Sequence, residues 1–198
     1  MDKSHRSQSF SAIENSHGEE RDEKLKQDDD QSRAIMLIQT GGTIDKDYPR
    51  SIGGYAFEIG SSAAQSILER MNLAMPVEYG SVFRKDSQEI NDWDRELLSQ
   101  VCQASTQSRI LITHGTDSMI DTAAYLAKKR LPKTIILTGA FRPEKFKDSD
   151  ADFNVGVAIG ALQTIQIHDV FVAMNGRVYW WNEVTRNQET GQFICKLK

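Results

Sequence analysis

From residue 34 the chain alternates short, continuously apolar runs with longer stretches of helical periodicity. Ala34-Ile35-Met36-Leu37-Ile38-Gln39 is apolar at nearly every position and stops at Thr40-Gly41-Gly42-Thr43, which predicts a buried strand entering a tight turn. Residues 61–71 place Ala64, Ile67, Leu68 and Met71 on one helical stripe, and residues 77–83 read as a second strand. Asn91 or Asp92 caps a helix running to about residue 104, with Trp93, Leu97, Val101 and Ala104 expected to face inward. Strands follow at 109–113, 134–138 and 169–174, separated by helices at about 119–129 and 152–164. Asn175-Gly176 is a hairpin signal, and residues 177–181 are its returning strand.

Strands alternating with helices at this spacing predict an α/β parallel sheet with helices on both faces, a three-layer sandwich ending in a C-terminal hairpin. The strands are apolar throughout rather than every second residue, as a sheet covered on both faces requires.

Residues 1–33 break this pattern. They carry nine acidic and six basic side chains, include the run Asp28-Asp29-Asp30, and offer Phe10, Ile13 and Leu25 as their only large hydrophobes after Met1. Such a segment buries too little apolar area to offset the entropy of ordering it, so it reads as a disordered polar tail. Residues 34–198 then form one domain, expected to be close to neutral. The whole chain, at −4, has no positive field for nucleic acid or an anionic membrane, and no apolar run long enough to span a bilayer. The first residues lack the apolar core of a signal peptide, and the two cysteines, Cys102 and Cys195, are too few for a disulfide framework. A cytoplasmic location is expected.

Polar residues gather where the predicted strands end, which is where open parallel sheets bind ligands. Thr40 and Thr43 follow the first strand, Ser87 and Gln88 the second, His114, Thr116 and Asp117 the third, and Arg142 lies beyond the fourth. Of the four histidines, His5 and His17 lie in the tail, and His114 and His168 have no metal-ligand spacing, so no metal site is expected. The glycine turn at 41–42 has neither a dinucleotide nor a P-loop signature around it. A threonine hydroxyl there could attack a substrate if a base removed its proton. Backbone N–H groups of the glycine turns could hold an oxyanion. Thr116-Asp117-Ser118 has two readings: part of such a site, or the cap of the helix starting near Met119.

Thr40-Gly41-Gly42-Thr43-Ile44, His114-Gly115-Thr116-Asp117-Ser118 and Gly139-Ala140-Phe141-Arg142-Pro143, with Ser149-Asp150-Ala151-Asp152-Phe153-Asn154 after them, resemble in order and separation the signatures of the Thr-nucleophile, bacterial-type asparaginase/glutaminase family. The resemblance implies a flavodoxin-like sheet, no cofactor, and hydrolysis of a side-chain amide through an acyl-Thr ester. It implies Thr43 as nucleophile and Thr116, Asp117 and Lys133 as a second triad. It places Ser87 and Gln88 on the substrate, beside the glycine turns at Gly42 and Gly115. A loop tyrosine assists the nucleophile in such enzymes; counting from Thr43 reaches Tyr55, whereas aligning the loop's terminal glycine on Gly60 puts Phe57 there. The chain is similar to short, single-domain members, without the C-terminal domain that completes the substrate site in longer ones.

The expected function is therefore L-asparaginase-like hydrolysis of asparagine or a related small amide. The alternatives are an amino-acid-binding or regulatory protein of the same fold with weak or no turnover, and an amide-processing subunit supplying ammonia to a partner chain. The Tyr179-Trp180-Trp181 segment is expected either to mediate a homodimer or to pack on the chain's own sheet edge.

Overall fold

A computed structural model describes residues 34–48 and 57–196. Its elements run β1 (Ile35–Gly41), β2 (Lys46–Asp47), β3 (Glu58–Ile59), α1 (Ala63–Arg70), β4 (Val77–Lys85), α2 (Asp92–Ala104), β5 (Arg109–Thr113), α3 (Met119–Lys128), β6 (Thr134–Thr138), α4 (Ala151–Thr164), β7 (Val170–Met174), β8 (Arg177–Trp180), β9 (Val184–Arg186) and β10 (Phe193–Cys195). The six-stranded sheet is ordered β4-β1-β5-β6-β7-β8, parallel except for the last strand. In order of appearance its five parallel strands run 2-1-3-4-5, the flavodoxin-like order.

Strand alternation divides the apolar residues between two cores. Leu37, Leu111 and Ile136 face α1 and α4, against Ile67, Val155, Ala158 and Leu162. Ile38, Ile112 and Leu137 face α2 and α3, against Leu98, Cys102, Ala123 and Leu126. This is the three-layer sandwich expected from the apolar strands.

The hairpin forms where the sequence places it. Asn175 and Gly176 have φ of 53° and 76°, the positive values a two-residue turn between right-twisted strands needs. Asn175 also accepts a hydrogen bond from the Phe193 amide at 2.9 Å, and Tyr179 donates to the Phe193 carbonyl at 2.7 Å. These bonds dock the β9–β10 ribbon, which periodicity does not reveal, against the hairpin.

The inward face of α2 needs correction. In α2, Asn91 is the cap and shares a reciprocal capping box with Asp94, but the inward residues are Leu98, Ser99 and Cys102, and Trp93 is 72% exposed. The true stripe is offset by one position because Asp94 turns inward to complete the cap and receive Lys85 Nζ at 2.7 Å. In the aromatic segment, Tyr179 is buried and Trp180 packs on Phe171 with ring centroids 4.6 Å apart, which is the sheet-edge packing that was one of its two readings, while Trp180 also lines an open groove beside β8.

Candidate active site

The order 2-1-3-4-5 reverses direction between β1 and β5, and such a switch point opens a crevice beyond the carboxyl ends of the two strands. Thr40 Oγ1 donates to the Thr113 carbonyl at 2.6 Å and ties the strands together at the crevice floor. Beyond it the backbone of Gly42 meets that of Gly115. A Cβ placed on Gly42 would lie 2.3 Å from the Gly115 nitrogen, and Gly42 holds φ at +90°. Gly115 in turn abuts Ser87, whose Oγ would lie 2.6 Å from a Cβ at Gly115. Only glycines allow three strand exits to approach so closely.

Thr43 and Thr116 each follow one glycine of the touching pair, so the two residues sit side by side in the backbone at the β1 and β5 exits. Neither hydroxyl hydrogen-bonds to another described residue. Thr43 opens a 3₁₀ turn, Thr43–Asp45, and is half-buried; Thr116 is 8% exposed. Ser87 Oγ accepts from the Asp117 amide at 3.3 Å, and the Ser87 carbonyl accepts from Ser118 Oγ at 2.5 Å. Ser118 is the cap residue of α3 but its side chain makes no cap bond, so these residues are not held as a simple helix cap.

Asp117 is engaged on both oxygens. Gln88 Nε2 donates to Oδ2 at 2.7 Å and Arg186 Nη1 to Oδ1 at 2.6 Å, and together they hold its carboxyl below the usual carboxylate range. Arg186 comes from β9. It also donates through Nε to the Gly191 carbonyl at 3.0 Å and lies over the Phe141 ring at 5.6 Å. Lys46, just past the 3₁₀ turn, pairs with Asp86 at 2.7 Å on the β4 side.

Behind this surface sit two buried titratable groups. Asp45 accepts from the Ala63 amide at 2.8 Å and from Gln39 Nε2 at 3.0 Å, joining the 3₁₀ turn to the start of α1. Burial outweighs these bonds and pushes its carboxyl up to about 6. His114 is fully buried, with Nδ1 2.8 Å from the Gly115 carbonyl and Nε2 2.9 Å from Thr122 Oγ1; burial pushes its imidazole down to about 4. It is a neutral strut under the Gly115 turn. Asp150 closes the next loop, accepting from the Phe141 and Arg142 amides at 3.0 and 3.2 Å.

Of the residues singled out from sequence, Thr43, Thr116, Asp117, Ser87, Gln88, Gly42 and Gly115 therefore converge. Lys133 does not. It immediately precedes β6, so it lies at the amino end of the sheet, about one strand length (~16 Å) from the crevice. There its buried Nζ donates to the carbonyls of Ser105 and Gln107 at 2.6 and 2.8 Å, closing the end of α2. The cation beside Asp117 is Arg186, 69 residues further along the chain, and no local motif marks it. Tyr55 lies outside the described residues; Phe57 is exposed and stacks on Tyr48 with centroids 4.0 Å apart. Among the described residues no group of three or more His, Cys, Asp or Glu is placed to hold a metal ion.

Residues 34–192 match the family described as "Asparaginase, N-terminal". The chain belongs to that asparaginase family. Among curated proteins it is 29% identical over 164 residues to "Probable L-asparaginase periplasmic" of Haemophilus influenzae, covering 79% of this chain and 47% of that protein. It is 28% identical over 169 residues to "L-asparaginase 1" of Escherichia coli, covering 81% of this chain and 49% of that one. The thermostable L-asparaginase from Thermococcus kodakarensis superposes with a TM-score of 0.73 at 23% identity, over 82% of this chain and 51% of that chain. The chain thus spans about half the length of these asparaginase relatives. Among the described residues no helix is long and apolar enough to cross a membrane.

Proposed function

We propose that the crevice hydrolyses the terminal amide of asparagine or a related small ω-amide, with Thr43 as nucleophile. The observation that supports this reading is the Gly42–Gly115 contact, which brings the backbone just ahead of Thr43 against the backbone just ahead of Thr116 at the switch point. In the proposed cycle Thr43 Oγ bonds to the amide carbon, the C–N bond breaks, and ammonia leaves with the threonine proton. Water then hydrolyses the acyl-Thr ester, releasing the acid and restoring Thr43. The Gly42 amide is already committed to the Lys85 carbonyl at 3.0 Å, so we assign the oxyanion to amides of the Gly115–Thr116 turn. Ser87 and Gln88 are assigned to substrate, with Gln88 also holding Asp117. Tyr55 is our candidate for assisting Thr43.

Ammonia release by the purified chain tests the proposal: Thr43→Ala is expected to abolish it, and Thr43→Ser to retain part. Equal rates in Thr43→Ala and the parent would overturn the assignment. One observation favours a second reading, ligand binding with little turnover. The cation against Asp117 is a guanidinium, which carries N–H donors and no acceptor and so supplies no base. Ammonia release separates the two readings.

A homodimer in the cytoplasm completes the proposal. Self-association is supported by the groove of Ile165, Ile167, Val178 and Trp180 beside β8, the last strand of the sheet. A reducing compartment is supported by two free thiols, Cys102 in the core and Cys195 exposed on β10.

A further inference from the structure

We propose that Asp45 is a positioning residue for Thr43: its side chain holds the turn that presents the nucleophile, and holds it only as the carboxylate. This rests on the amide-hydrolase reading above.

Asp45 ends the 3₁₀ turn that Thr43 opens, and its amide donates back to the Gly42 carbonyl at 3.2 Å. Its carbonyl accepts from the Gly60 amide at 2.8 Å. Of its carboxylate oxygens, Oδ1 accepts from the Ala63 amide at 2.8 Å and Oδ2 from Gln39 Nε2 at 3.0 Å. Gln39 Nε2 also donates to the Gly60 carbonyl at 2.9 Å, and Gln39 Oε1 accepts from Arg84 Nε at 3.3 Å. One residue thus ties the nucleophile's turn to β1, to the start of α1 and to the segment leaving β3. The Thr43 side chain bonds to no other described residue, so its place depends on that turn.

Both carboxylate oxygens receive an N–H, so a proton on Asp45 has to displace one of the two donors. The Ala63 amide is fixed by α1. The Gln39 carboxamide can turn over, which brings its oxygen to the new O–H. Its N–H group then points at Arg84, and the Gly60 carbonyl loses its donor. The bonds that hold the turn therefore belong to the carboxylate form. Burial opposes that form and pushes the carboxyl up to about 6, against the Ala63 and Gln39 bonds and the positive charge of Arg84 on β4. The other charged groups around the cavity of about 180 Å³ beside Asp45 are Lys46, Asp47, Glu144 and Lys145. Lys46 is paired with Asp86 and Glu144 with Arg70, while Glu58 stands opposite Asp47 in the β2–β3 pair.

Ammonia release from asparagine by the full chain, followed across pH with kcat and KM read separately, tests the proposal. In the parent, kcat is expected to fall on the acid side with a midpoint near 6. Gln39→Leu removes a donor that favours the carboxylate, so that midpoint is expected to move to higher pH, whereas a merely structural role would lower activity at every pH alike. Asp45→Asn has one oxygen for two donors and is expected to lower kcat about tenfold or more at neutral pH, with KM nearly unchanged and the acid limb gone. A parent without the limb, a midpoint unmoved in folded Gln39→Leu, or an Asp45→Asn as fast as the parent would overturn the proposal. Amide NMR of the parent reads the same event without turnover: the Thr43 and Gly60 signals are expected to titrate together with a midpoint near 6. That measurement decides if the variants fail to fold. Titration of both signals without ammonia release at any pH removes only the hydrolase reading. Ammonia release that Thr43→Ala abolishes, with neither signal moving, removes only the role of Asp45.

Discussion

Gly42 and Gly115 touch backbone to backbone across the β1–β5 switch point, closely enough that a single methyl on Gly42 would fall 2.4 Å from the Gly115 Cα. Gly42→Ala has to overcome both this overlap and a φ of +90°, and neither neighbour is a flexible side chain that could swing away. A destabilisation of at least about 2 kcal/mol is expected in urea unfolding. Gly156→Ala gives the contrast: the residue is exposed on α4 with nothing within 4 Å of the new methyl, so a gain of roughly 0.5–1 kcal/mol is expected. A neutral Gly42→Ala would mean that the strand exits are not packed as described.

Lys133 and Thr116 separate structure from chemistry. Lys133→Met leaves the carbonyls of Ser105 and Gln107 without their donor at a buried helix end, which costs about 1–3 kcal/mol of stability. With the ammonium a strand length from the crevice, kcat/KM for ammonia release is expected to stay within about twofold of the parent. Thr116→Val keeps the shape of a residue whose hydroxyl bonds to no described neighbour, and is expected to lower kcat by about 10²-fold or more with little loss of stability. Loss of turnover in folded Lys133→Met would return that lysine to the mechanism.

Much of this architecture is legible in the sequence because burial on both sheet faces forces a continuous apolar run, as in Ile35–Ile38, and because Asn175-Gly176 allows few other conformations. The touching glycines are legible as motifs but not as a contact. The departures have physical causes. Hydrophobicity alone puts Trp93 on the inner stripe of α2, whereas a buried capping box turns Asp94 inward and carries Trp93 out to solvent. Met71 drifts out likewise, 52% exposed at the frayed end of α1. Lys133 stands directly ahead of a strand, yet in a parallel sheet that place is the end opposite the crevice. Arg186 carries no local signal, because its role arises only when the ribbon folds back across 69 residues.

Trp180 tests whether the β8 face serves the chain itself or a second copy. Its ring packs on Phe171 at 4.6 Å while part of it lines the open groove with Ile165 and Ile167. Trp180→Ser removes the internal contact and is expected to cost about 2 kcal/mol or more in unfolding. Ile167→Ser touches the groove alone, since Ile167 is 54% exposed, and is expected to leave the monomer's fold intact. If the groove joins two copies, sedimentation of Ile167→Ser shifts towards monomer at protein concentrations where the parent is dimeric. An unchanged sedimentation profile would remove the groove from the interface.

Asp45 and His114 act against each other over the same pH range. Burial raises Asp45 from 3.8 to about 6, so the folded chain holds a proton that the unfolded chain has already released. The stability this contributes is complete below pH 3.8 and is lost as pH rises through about 6. Burial lowers His114 from 6.5 to about 4, so the unfolded chain binds the extra proton. Its contribution is complete above pH 6.5 and is lost as pH falls through about 4. Between about pH 4 and 6 the two slopes have opposite signs, each at most about 1.4 kcal/mol per pH unit, and nearly cancel. Asp45→Asn removes the falling arm, so relative to the parent its stability should climb as pH rises from about 4 to about 6. His114→Gln removes the rising arm, and its stability relative to the parent should decline over that range. Urea unfolding of parent and variants at half-unit pH steps reads both differences, in which every other titrating group cancels. Curves that run parallel to the parent from about pH 4 to 6.5 would show that neither group is buried in the state described. The strut beneath Gly115 and the link from the nucleophile's turn to α1 would then lose their support.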